Sequence, residues 1–128
     1  MKLEETKQGF VDKYFFLSNY YMCKVRYEGV VYPSSEHAFA AAKTTDPVIR
    51  AWISTMETPG QAKRAGRKLV LRQYWNEIRI RVMKDILRCK FEQNLDLKKA
   101  LILPGGFSLI MATLSFMFLR MRKETSIK

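Results

Sequence analysis

Cysteine is scarce in this 128-residue chain: Cys23 and Cys89 are the only two, widely separated, with no CxxC pairing and no histidine cluster beside either. No metal site is indicated by such spacing. The thiols are expected to be reduced and buried rather than bridged. There is one histidine, His37, and nothing in the pattern calls for a cofactor. Acidic residues are few as well, 12 against 23 lysines and arginines, which leaves a formal charge of +11 and a pI near 9.9. That balance favours a polyanionic partner, whether nucleic acid, a phosphorylated small molecule or an acidic surface, and charge alone does not choose among them. The acidic, unhydrophobic start Met1-Lys2-Leu3-Glu4-Glu5 lacks the character of a signal peptide, so a cytoplasmic location is expected. The longest apolar run, Phe107 to Leu119, falls short of the roughly 20 residues of an ordinary membrane span. A core helix or strand is expected there, and no membrane partner.

Repeats, low-complexity stretches and glycine- or serine-rich linkers are also missing. With 48% hydrophobic and 27% charged residues the chain has the composition of a globular protein able to bury a core. The expected fold class is α+β, mostly helical, one compact domain with a small β-hairpin element. Phe15–Tyr21 is an aromatic cluster interrupted by Ser18 and Asn19, suited to a packed loop or short strand. Two alternating runs, Lys24–Tyr27 and Val30–Tyr32, flank Glu28-Gly29, where a glycine at positive φ closes a hairpin. Pro33-Ser34-Ser35 then stops the strand and offers a serine cap to a helix from about Ser35 through Ala42. Asp46-Pro47 starts a second helix, expected to carry Trp52 and Ile53 inward. The Thr58-x-x-Gln61 spacing of a capping box announces a third, basic helix. The strongest periodicity runs from Trp75 through Phe91, with Trp75, Ile78, Val82, Ile86, Leu87 and Phe91 along one face and Arg79, Lys84 and Arg88 opposite.

Chemistry-bearing residues gather at the junctions. Glu36 and His37 sit where a strand ends and a helix begins. The macrodipole alone favours a carboxylate in the first turn. The same dipole stabilises its ionised form, which suits Glu36 to activating water or steadying a developing cation rather than donating a proton. His37, beside an apolar helix face, is read as a satisfied packing residue with no chemical role. Lys43, Lys63, Arg64, Arg67 and Lys68 either coat solvated helix faces or form a phosphate cradle, since Lys63 and Arg67 are one turn apart and can converge on one anion. Gly66 leaves room for a ligand or a second helix to approach. Trp75 either packs in the core or stacks on a base. Ser18 and Asn19 either bond a ribose or turn the backbone.

Taken together, Phe16-Leu17-Ser18-Asn19-Tyr20 and Gly29-x-x-Tyr32-Pro33-Ser34-Ser35-Glu36-His37-Ala38-Phe39-x-Ala41-x-Lys43 resemble the opening motif of NADAR domains, the family of YbiA-type proteins. Ala62-Lys63-x-x-Gly66-Arg67, Trp75, Val82-Met83 and Lys90-Phe91-x-Gln93-Asn94 agree in order, and the resemblance runs from about Phe15 to Leu101. It implies an N-glycosidase that hydrolyses the N-glycosidic bond of phosphorylated ribosylated nucleotides. The substrates implied are ribosylaminopyrimidine phosphates of riboflavin biosynthesis or ADP-ribosyl-guanine, with ADP-ribosylated nucleic acid as a further partner. On the same resemblance Glu36 is the catalytic group. Ser18, Asn19, Lys43, Lys63, Gly66, Arg67 and Trp75 are then the substrate-binding set, with Trp75 stacking on the base or walling off the site and the cations holding phosphate.

After Leu103 the chain departs from that pattern. Leu103-Pro104-Gly105-Gly106, the apolar run and a basic end stand where the family continues with a Thr-Gly turn, an acidic stretch and an Asn-Asp-x-x-Trp-Gly-like motif. The expected organisation is therefore a NADAR-like helical domain over 1–103 and an atypical tail over 104–128, the mark of a frameshifted or truncated reading frame. An impaired ADP-ribose or nucleotide-binding module is the alternative function, and a basic nucleic-acid binder a third.

Overall fold

The computed structural model describes residues 12–101, and two turn residues decide its β-hairpin. Glu28 and Gly29 both take positive φ, 48° and 84°, the pair of conformations whose twist matches the flanking strands in a two-residue hairpin. Across that turn β1 (Met22–Tyr27) pairs antiparallel with β2 (Val30–Ser34). Val25 lies opposite Tyr32, but Met22 lies opposite Ser34, so β1 carries one extra residue between them. A bulge of this kind bends the strand. Val25, Tyr27 and Tyr32 turn inward and are buried.

Among the described residues five α-helices follow, and the starts of the first three are set by side-chain caps. Helix α1 (Ser35–Ala42) is capped by Ser34, whose hydroxyl accepts from the His37 N–H. Helix α2 (Pro47–Ser54) is capped by Asp46, with Pro47 in the first turn. Helix α3 (Pro59–Arg67) opens with a full capping box, Thr58 accepting from the Gln61 N–H and the Gln61 side chain from the Thr58 N–H. Helix α4 (Trp75–Gln93) is the long one, about 28 Å at 1.5 Å per residue, and α5 (Leu95–Leu101) follows after Asn94. The fold class is the expected one, α+β and mostly helical with a small hairpin.

Every residue of α1 is buried. Helices α2, α3 and α4 and both strands pack on it, which its run of alanines permits because small side chains let neighbouring backbones approach. The first turn of α1 buries Ser35, Glu36 and His37 as well, and buried polar groups of this kind need hydrogen-bond partners within the protein.

Three local expectations are corrected. The aromatic cluster, expected as a packed loop or short strand, begins in a 3₁₀ helix, Asp12–Leu17, which the Ser18 N–H closes onto the Phe15 carbonyl at 2.9 Å, and continues as a turn. In α2 only Ile53 is buried, while Trp52 is 55% exposed. Adjacent residues point about 100° apart on a helix, and this short helix has room inward for one of them. On α4 the buried stripe is Trp75, Val82, Met83, Ile86, Leu87 and Lys90, with Ile78 and Phe91 half-buried. Neither cysteine is in a disulfide, and both are half-buried.

The end of α4 closes the edge of the hairpin. The Gln93 carboxamide accepts from the Arg26 N–H at 2.7 Å and donates to the Arg26 carbonyl at 2.9 Å, as a neighbouring strand would. Asn94 donates to the carbonyls of Lys24 and Lys90. Exposed strand edges carry unpaired backbone groups, and these two amides occupy part of that edge. By its contacts the chain divides into two compact units. One is Asn19–Leu95, which holds the hairpin and α1–α4; of the other, residues 12–18 and 96–101 are described, with Ser18 and Leu97 buried. The expected boundary at residue 103 and the tail 104–128 lie outside the described residues.

Candidate functional site

Glu36 stands one residue into α1 because the Ser34 cap fixes where that helix begins. Its side chain is buried, with the residue 3% exposed. Its backbone N–H, one of the helix's first donors, is taken by the Asn19 carbonyl at 3.1 Å. Asn19 does more: its Oδ1 accepts from the Ser35 hydroxyl at 2.7 Å, and its Nδ2 points to the Met83 sulfur at 3.6 Å. Asn19 therefore ties the head of α1 to α4, and both ends of its carboxamide are engaged within the protein.

Helical spacing aligns Glu36, Phe39, Ala40 and Lys43 along one face of α1. Glu36 and Lys43 lie two turns apart on it, about 10 Å along the axis. The neighbours of that face are visible in the contacts. Phe39 meets Trp75 of α4, ring centroids 5.3 Å apart and tilted by 50°, and the Lys43 ammonium lies 5.9 Å from the Phe39 ring. On the α3 side, a Cβ placed on Gly66 would come within 3.0 Å of the Ala40 Cβ and 3.6 Å of the Lys43 side chain. The space that Gly66 leaves is thus occupied by α1, the second helix of the two options the sequence offered.

Lys43 is nearly buried, so its charge is held beside α3 rather than loose in solvent. Lys63, Gly66 and Arg67 share one side of α3 by their spacing, Lys63 half-buried and Arg67 exposed. Two arginines outside the expected set also reach the end of α1. Arg72 donates its backbone N–H to the Lys43 carbonyl at 2.8 Å and its guanidinium to the Ala42 carbonyl at 3.4 Å. Arg50 donates to the Thr44 carbonyl at 2.8 Å and pairs with Glu28 at 2.8 Å. Cations at a helix C-terminus are stabilised by its dipole. The result is a short helix with a carboxylate at its positive end and a cationic rim at its negative end.

Trp75 is 6% exposed and packed on Phe39, a placement suited to walling off a site. Ser18 is buried in the other unit. His37, assigned no chemistry from the sequence, is fully buried with both ring nitrogens bonded. Burial holds its pKa below the ordinary 6.5, with the bond to the Met56 carbonyl opposing. Arg72 escaped sequence reading because its partners are backbone carbonyls, which leave no side-chain pattern, and Arg50 because its carboxylate partner, Glu28, lies 22 residues away. Among the described residues no cluster of three or more His, Cys, Asp or Glu could hold a metal ion, and no helix is long and apolar enough to cross a membrane.

Comparison with known proteins agrees with these motifs. Residues 4–115 match the NADAR domain family, and the chain belongs to it. The match continues past Leu101, the point where the motif resemblance stops. The chain is 34% identical over 101 residues to N-glycosidase YbiA of Escherichia coli (strain K12), covering 77% of this chain and 63% of that protein. It is 36% identical over 96 residues to a riboflavin biosynthesis protein of Vibrio vulnificus (strain YJ016), covering 73% of this chain and 26% of that one. The NMR structure of E. coli YbiA is similar with a TM-score of 0.62 at 36% identity, over 70% of this chain and 55% of that chain. The chain thus spans less than two thirds of the length of either relative.

Proposed function

We propose that this chain is an N-glycosidase acting on a phosphorylated ribosyl nucleotide, with Glu36 as the catalytic carboxylate. The observation that carries the reading is the shared face of α1. Glu36 stands near one end and Lys43 at the other, between the Trp75 and Gly66 neighbours. A ribosyl phosphate likewise carries its reacting anomeric carbon at one end and its anionic group at the other. In hydrolysis the C1′–N bond breaks, the base leaves with a proton from solvent, and water adds its oxygen to C1′. The ribosyl cation that develops between these events is stabilised by a nearby negative charge, and the same carboxylate orients the water and receives its proton. Lys43, Lys63 and Arg67 hold the phosphate, Trp75 keeps water from the base side, and Asn19 acts by fixing the head of α1 beneath Glu36. Both ribosylaminopyrimidine phosphates and ADP-ribosyl-guanine, free or in nucleic acid, have this shape. Kinship to proteins named N-glycosidase YbiA and riboflavin biosynthesis protein supports the reaction class.

Incubation of the purified chain with ribosylaminopyrimidine 5′-phosphates and with ADP-ribosylated guanine DNA, followed by mass spectrometry of the released base, tests the proposal. Glu36→Gln is expected to lower turnover roughly 100- to 1,000-fold, the scale for losing one transition-state charge contact. Arg67→Ala is expected to act mainly on KM. Absence of base release from both substrates overturns the proposal. Tight binding without release, lost in Arg67→Ala and kept in Glu36→Gln, selects the impaired binding module instead.

A further inference from the structure

His37 follows Glu36 directly, and its ring joins two parts of the chain. Nε2 lies 2.9 Å from the Met56 carbonyl, in the connection between α2 and α3, and Nδ1 lies 2.6 Å from the Ser34 hydroxyl. A carbonyl only accepts, so Nε2 carries the proton and donates it. In a neutral ring Nδ1 is then the acceptor, and the Ser34 hydroxyl donates to it. The oxygen of that hydroxyl in turn accepts the His37 backbone N–H at 3.2 Å. Both capacities of the N-cap serine are consumed by one residue, and the residue is anchored to a separate loop.

We propose that His37 is a positioning residue for the Glu36 carboxylate, a neutral brace that locks the Ser34 cap of α1 against the Met56 carbonyl. The proposal rests on Glu36 being the reacting carboxylate. The geometry favours it over simple packing in two ways. An apolar side chain of similar size would fill the volume, but would leave the Met56 carbonyl and the Ser34 hydroxyl without these bonds. Glu36 also lies between two fixed points: Asn19 holds Ser35 and the Glu36 N–H from one side, and His37 holds the next residue from the other. Freedom at His37 becomes freedom in the direction of the carboxylate, and a displacement of about 1 Å in a reacting group can cost on the order of 100-fold in rate.

The test compares wild type, His37→Ala, His37→Gln and Ser34→Ala, with far-UV circular dichroism and thermal melting as controls of folding. Gln keeps a donor able to reach the Met56 carbonyl; Ala keeps neither bond. Two readouts are taken. The first, independent of turnover, is the ¹³C resonance of the Glu36 carboxyl followed through its titration. It is expected to move in His37→Ala and Ser34→Ala and to return most of the way in His37→Gln. The second is base release, where kcat is expected to fall 10- to 100-fold in His37→Ala with KM nearly unchanged. An unchanged Glu36 titration in folded His37→Ala overturns the proposal. If His37→Ala does not fold, His37→Gln and Ser34→Ala decide it by the same resonance. If wild type releases no base, the glycosidase reading fails while the carboxyl titration still reports whether His37 positions Glu36.

Discussion

Lys90 is a charged residue in the wrong solvent. It is fully buried, its ammonium 5.7 Å from the Tyr21 ring and 5.3 Å from the Phe91 ring. Loss of water pushes its pKa from 10.5 down to about 8, with Cys23 opposing in part. Because the folded value lies below the unfolded one, the unfolded chain binds more protons between pH 8 and 10.5, and stability rises with pH across that window. Below pH 8 the full penalty is present; above pH 10.5 it is gone. At roughly 1.4 kcal/mol per pH unit the fall from 10.5 to about 8 withholds about 3 kcal/mol at neutral pH. Lys90→Met keeps the stem and removes the charge. Urea unfolding at steps from pH 7 to 10.5 is expected to show the variant more stable by about 2 to 3 kcal/mol at pH 7, with the two curves converging at the alkaline end. Tyr27, pushed up to about 12, and Cys89, also raised, are present in both proteins and cancel in the difference. Repeating the pair in a Cys23→Ser background removes the neighbouring thiol that opposes the shift. Parallel curves through pH 8 to 10.5 would refute the reasoning.

Two other substitutions probe the frame around the site. Gly66→Ala should destabilise by about 1 to 2 kcal/mol despite the helix propensity gained, because the new Cβ meets Ala40 at 3.0 Å; a melting temperature equal to wild type or higher would show that α1 and α3 separate easily. Tyr74 precedes α4 with a left-handed φ of 63°, no capping bond and 65% exposure. Tyr74→Asn should therefore stabilise by about 1 kcal/mol, read as a rise of a few degrees in Tm, and a fall would mean that the tyrosine ring packs on something that Asn cannot replace.

How much was legible beforehand depended on the range of each interaction. Caps were readable: Ser34, Asp46 and Thr58 with Gln61 satisfy donors two or three residues away, so the whole interaction lies inside a short window of sequence. The Glu28-Gly29 turn was readable for the same reason. Glu36 was found by its junction and its motif, but the bonds that hold it, from Asn19 and through His37 to Met56, bridge 16 to 19 residues and have no local signature.

Sequence by itself therefore determined where the first three helices start, that a hairpin precedes them, and that a carboxylate opens the central one, because propensity, capping and turn chemistry act between near neighbours. Tertiary structure alone decided that Ile53 and not Trp52 turns inward, that Lys90 joins the buried stripe, that Gly66 receives a helix, and that Gln93 completes the edge of β1. Each of those outcomes depends on which distant surface arrives at the residue. A sequence records the residue and its spacing; the neighbour is supplied only when the chain has packed.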